Sequence, residues 1–267
     1  MQGKPRKSKQ KAAFIYKPYL KGNWRSVLAA KRSLRILVYQ VAFIFAYLFI
    51  GQVLLFDAMV WRVLANLLVL LSFGALLYND GARMGMEDVT FAEVALARRE
   101  AGKEVTSAEL DRCYHPLKGF FTVLVGTLPL ILLSLVFALI ATEQHYRLGS
   151  LPGWVAGFER RADVGLALQY YHEHQGIGLE GILRIVVRLL LFPFVNMIGT
   201  SSSAALLWLE RLSPLLVCLI PLGYALGYLQ GPRLRAGVHG AISTDARRRV
   251  RRQKKERAQR QQPRNLV

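Results

Sequence analysis

The chain has 267 residues, with 36 Lys and Arg against 17 Asp and Glu, a formal charge of +19, and 53% hydrophobic residues. Two cysteines, Cys113 in polar sequence and Cys218 in apolar sequence, exclude a disulfide framework and zinc-ligand spacing. The apolar residues are gathered into runs near the roughly 20 that a helix needs to cross about 30 Å of hydrocarbon. They lack the alternation of barrel strands, so the pattern specifies an all-α polytopic membrane bundle.

The charge is uneven. Residues 1–35 hold eleven Lys or Arg and no acid, and residues 232–267 hold twelve against two acids. Basic ends on a membrane protein are retained on the cytosolic side. Both termini are therefore expected in the cytosol, at a bacterial plasma membrane, facing acidic lipid headgroups or ribosomal RNA as polyanionic partners. A basic, acid-free leader also has the composition of a transit peptide, which leaves an organelle membrane open. No small-residue cleavage site follows the first apolar run, so that run reads as an uncleaved anchor.

In chain order, residues 1–35 begin Lys-rich, from Lys4 to Lys11. Phe14, Tyr16, Tyr19 and Trp24 then interleave with Lys17 and Arg25, as in segments lying at headgroup depth. RNA binding, with rings for stacking, is the competing reading of this stretch. The membrane domain, 36–231, opens with spans at 36–56 and 58–78 that form a tight hairpin. Arg62 is expected to snorkel to the interface near Asp57, and Asn66 to hydrogen-bond between helices.

Residues 79–118, with eight acids and six bases, form a cytosolic connector. Thr90-Phe91-Ala92-Glu93 and Thr106-Ser107-Ala108-Glu109 both match the capping box, in which a hydroxyl and a carboxylate satisfy opposing free N–H groups. They predict a small helical hairpin, 91–101 and 107–114, with Gly102 as the stop between and Pro116 after. The third span covers 119–141, with Gly126, Thr127 and Pro129 as sites for a kink.

Residues 142–180 read as an outer loop, with three Lys or Arg against five acids. Within it, Tyr170-Tyr171-His172-Glu173-His174 invites a metal reading. On a helix the two His point about 200° apart and cannot share one ion, although on an extended segment they would share a face. No metal site is assigned.

Three spans from a cytosolic start leave the chain outside at 142, and the basic tail must return inside. One further crossing, at 214–230, satisfies both. The segment 181–212 is then a broken re-entrant or interfacial helix on the outer side. Glu180, Arg184 and Arg188 recur at i, i+4 and i+8 on an otherwise apolar helix, and Pro193, Asn196 and Gly199–Ser203 break it. Glu210-Arg211 is expected to return this segment to water. Gly223 and Gly227 form a GxxxG pair suited to close helix packing, within the chain or in a homo-oligomer or with a membrane partner. The tail 232–267 is expected to be disordered when unbound.

Ionisable groups at membrane depth are costly, which makes Arg184 and Arg188 the leading binding candidates. With Asn196, Thr200, Ser201, Ser202 and Ser203 they suit a small anionic solute or a lipid headgroup, the chemistry of a transporter or permease-like component. The alternative is a scaffold or assembly factor that recruits a cytosolic or ribosomal partner. Its polyanion-binding residues would be Arg247, Arg248, Arg249, Arg251, Arg252, Lys254 and Lys255. No nucleophile elbow, zinc-protease motif, phosphate-binding Gly loop or other cofactor signature is present, and a non-enzymatic role is expected.

Overall fold

The computed structural model describes residues 14–54, 56–143, 158, 161, 163–164, 178–199 and 202–261. Among these, all regular structure is helical: α1 (Val27–Val53), α2 (Met59–Glu100), α3 (Ser107–Arg112), α4 (Pro116–Ile140), α5 (Leu179–Leu190), α6 (Phe192–Ile198), α7 (Ser203–Arg211), α8 (Ser213–Leu229) and α9 (Gly231–Gln261). Helices α1, α2 and α4 are each long and apolar enough to cross a membrane. The bent pairs α5–α6 (90°) and α7–α8 (63°) raise that number to five if each pair is one span. Large apolar side chains such as Phe49, Val53 and Leu139 face outward, while Asn66, Thr127 and Ser134 are buried. Polar inside and apolar outside is the arrangement that a lipid solvent selects.

The chain divides into two compact units. The first contains the described residues up to Arg32, Ala75–Val123, and those from Leu222 onward. Here α2 does not stop at Tyr78, where the second span was expected to end, but runs on to Glu100, 42 residues in all. The capping box expected at Thr90 does not form, because both partners are used otherwise. Thr90 Oγ1 donates back to the Met86 carbonyl at 2.8 Å, and Glu93 binds Arg235 and His239 of α9. Gly81 and Gly85, which resemble loop residues in sequence, are instead close-packing positions. A Cβ at Gly81 would lie 2.1 Å from the Tyr224 carbonyl oxygen, and one at Gly227 would lie 2.0 Å from that of Tyr78. Gly227 is thus occupied within the chain.

The second capping box does form: Thr106 accepts from the Glu109 amide, and Glu109 accepts from the Thr106 amide. Gly102, at φ +77°, ends α2. The segment 14–26 is an extended strap, with its Leu20 and Gly22 amides donating to Ala92 and Tyr114 carbonyls and Ile15 to Ala236. Its Ser26 accepts from the Ala29 amide, starting α1 nine residues before the expected first span. The tail departs most from expectation. It is helical through Gln261, because Arg, Lys, Gln, Glu and Ala are all good helix formers and no Pro or Gly interrupts them after Gly240.

The second unit comprises Ser33–Gly74 and Leu124–Pro221. Its α1–α2 hairpin is closed by stacked Phe43 and Phe73, 4.4 Å between centroids. Its core gathers Phe137 and Ala141 of α4, Val187 of α5, Leu191, Leu209 of α7 and Val217 of α8. Both flanks of the broken segment are fastened at the C-terminal end of α4. Arg184 donates to the Thr142 carbonyl at 2.7 Å, and Ser203 donates to Glu143 at 2.7 Å.

Candidate functional site

Residues four apart on a helix share a face, and α5 therefore presents Glu180, Arg184 and Arg188 together. Arg184, 7% exposed, donates to Glu180 Oε1 at 3.0 Å, and its ring of contacts includes Phe137 at 5.6 Å. Its Nε lies 3.4 Å from Glu210 Oε2, an ion-pair separation without hydrogen-bond geometry. Arg188 donates to Glu210 Oε1 at 2.7 Å. Glu210 is only 1% exposed, so it does not return the segment to water. It lies on the inward face of α7 with Leu206 and Leu209. Two guanidiniums thus meet two carboxylates, and the pair expected to offer uncompensated positive charge is neutralised.

The hydroxyls are also engaged. Ser202 caps α7 by accepting from the Ala205 amide at 3.2 Å, and Ser203 donates to Glu143. Thr200 and Ser201 lie outside the described residues. Asn196 belongs to a different cluster. Its Nδ2 lies 3.3 Å from Asn66 Oδ1 and 3.4 Å from both Tyr47 Oη and the Gly51 carbonyl. Asn66, which the sequence assigned to interhelical hydrogen bonding, does this and also donates to the Arg62 carbonyl at 2.7 Å.

That cluster leads to a residue whose role the sequence reading missed. Gly199 takes φ +71°, a conformation open to glycine, and the Arg62 guanidinium packs directly on it. A Cβ at position 199 would lie 2.9 Å from Arg62 Nη2. Among the described residues no acid pairs with Arg62, and its buried Nε has no hydrogen-bond partner. The signal available in sequence was the i, i+4 spacing of Arg62 and Asn66, which puts both on the buried side of α2.

A second charged cluster occupies the first unit. Asp88 Oδ2 accepts from Arg32 at 2.8 Å, Lys118 at 3.0 Å and Tyr228 at 2.6 Å, and Oδ1 accepts from Arg32 at 2.9 Å. Lys118, fully buried, completes its three donors on the Asp111 and Cys113 carbonyls. A network this complete binds helices together and leaves nothing for a ligand. Cys113, beside it, is buried, and burial raises its thiol above the usual range.

Among the described residues no group of three or more His, Cys, Asp or Glu is placed to hold a metal ion. His172, Glu173 and His174 lie outside them. Of the basic candidates in the tail, Arg247, Arg248, Arg249, Arg251, Arg252 and Lys254 are exposed on α9, and Lys255 follows them on the same helix. Comparison with protein-family models, curated proteins and solved structures gave no match to this chain.

Proposed function

We propose that this is a membrane component that handles a small anionic solute or an anionic lipid headgroup at the outer face of the bilayer, with Arg62 as the capturing cation. The topology that goes with it has α1, the first half of α2, α4 and α8 as spans and both termini in the cytosol. The segment α5–α6 enters from the outer side and returns without crossing. The attachment of both Arg184 and Ser203 at one end of α4 supports this, since a crossing segment would end at opposite ends of its neighbour.

The observation that carries the functional reading is the guanidinium of Arg62, held on the Gly199 turn without a counter-charge among the described residues. A planar fork of N–H donors fits carboxylate or phosphate oxygens in pairs. Asn66 and Asn196, bonded to each other, tie α2, which carries Arg62, to α6, which ends at the turn. Arg184 and Arg188 then have a supporting role, tying α5 to α7 through Glu210.

Flux of organic anions from proteoliposomes tests the assignment. Arg62→Gln should lower the protein-dependent rate at least tenfold while the protein stays folded. Arg188→Gln should mainly lower stability, because it removes one of the two cations that compensate the buried Glu210 carboxylate. Equal flux in wild type and Arg62→Gln would remove Arg62 from the site.

A further inference from the structure

The C-terminal helix α9 carries an exposed basic surface separate from Arg62. Its first third is fixed to the first unit. Glu93 receives Arg235 at 2.9 Å and His239 at 2.8 Å, and the strap amide of Ile15 reaches the Ala236 carbonyl. Beyond Thr244 no such anchor is present among the described residues. Arg247, Arg248, Arg249, Arg251, Arg252 and Lys254 are exposed there, and among the described residues the Arg248–Asp245 pair, at 3.6 Å, is the only ion pair that offsets them.

The distribution of these cations around the helix decides the partner. Successive residues on a helix turn by about 100°, so the six spread over more than half of the circumference. Val250 is the sole apolar side chain among residues 247–254. A helix that lies on a bilayer needs an apolar face to bury among the acyl chains, and this one has none. A cylinder charged on most sides fits a partner that offers phosphates on two walls. Arg247 to Lys254 spans about 11 Å of axis, and a nucleic-acid duplex carries one phosphate per about 1.7 Å, close to one phosphate per cation.

We infer that the distal half of α9 binds the phosphate backbone of a nucleic-acid duplex without reading its sequence. The helix is held within the first unit by Glu93 and tethers the duplex at the bilayer surface. Binding of this kind releases counterions, so affinity should fall with salt at a log–log slope of about −5 for six neutralised phosphates.

Fluorescence anisotropy of labelled duplex RNA and duplex DNA with the full chain in zwitterionic nanodiscs tests it. The expected result is binding to either duplex at 100 mM salt, with the steep salt slope. Changing Arg247, Arg249 and Arg251 together to Gln, a good helix former, should flatten the slope by about three, and changing them to Lys should preserve it. Absence of duplex binding, or binding indifferent to the Gln triple, overturns the inference. Anionic vesicles that displace the duplex from wild type and are themselves released by the Gln triple would assign α9 to lipid instead. The Arg62→Gln variant should bind duplex as wild type does, which keeps this outcome separate from that of the anion site.

Discussion

Pro221 has no amide hydrogen, so the Val217 carbonyl, four residues earlier in α8, lacks its helical donor. Gln40 of α1 supplies a substitute, with Nε2 3.3 Å from that oxygen. The cost falls on the other end of the amide, since Gln40 Oε1 is buried without a partner. Gln40→Leu should therefore destabilise the wild-type protein by about 1–3 kcal/mol by orphaning Val217. In a Pro221→Ala background the helix regains its own donor, and the same change should be neutral or stabilising. Denaturation in detergent micelles measures both, and the same loss in both backgrounds would show that the two residues are uncoupled. Lys118 poses the opposite case, a charge whose every donor is engaged. Lys118→Met should lower stability by about 3–5 kcal/mol, read as a large fall in unfolding midpoint, because Asp88 and two carbonyls keep their burial and lose a donor. Neither role was legible in the sequence. Gln40 and Val217 are 177 residues apart, and Asp88 gathers partners 30, 56 and 140 residues away, distances at which no periodicity operates.

Elements were legible where their ends carry local chemistry. Thr106 and Glu109 specify the start of α3 through bonds within four residues, and Gly102 specifies the end of α2 by its positive φ. The same four-residue pattern at Thr90 predicts a start that does not occur, because α9 supplies Glu93 with Arg235 and His239 and tertiary packing keeps the helix continuous. Thr106→Ala should cost about 1 kcal/mol. The amide of Thr106 holds the Glu109 carboxyl below the usual carboxylate range, with Arg98 adding to it. A lowered folded-state value means that the carboxylate's contribution is present above about pH 4.3, its ordinary value, and is lost as pH falls through the lowered one. Hydrogen exchange at the α3 amides should accordingly be protected at pH 6 relative to a Glu109→Gln variant. The two should converge well below pH 4, and a constant difference down to pH 2 would contradict the assignment. The break at 191 was readable from Pro193 and Asn196, but its partners were not. Glu210 resembles a surface residue until α7 turns it towards Arg184 and Arg188.

At the scale of the whole chain, the hydropathy runs and the basic ends are properties of composition, and they carried over into helices long enough to span. The number of crossings is a different matter, since it depends on whether α5–α6 and α7–α8 each count as one span. Charge supplies the constraint that hydropathy lacks. If the rule that retains basic segments inside places both the leader and a tail with twelve Lys and Arg in the cytosol, as proposed, the number of crossings between them is even. With α1, α2 and α4 contributing three, α8 makes four only if α5–α6 returns to the side it left. Single cysteines at Ser107, Ser202 and Asp245, in a chain lacking Cys113 and Cys218, measure this in sealed cells with an impermeant maleimide. Labelling is expected from outside at 202 alone, with 107 and 245 reacting only after the membrane is opened. Outside labelling at 245 would reverse the tail and remove the nucleic-acid tether from the cytosol. Protection at 202 together with 107 would place the Gly199 turn on the inner side, and Arg62 would then face the cytosolic pool of anions.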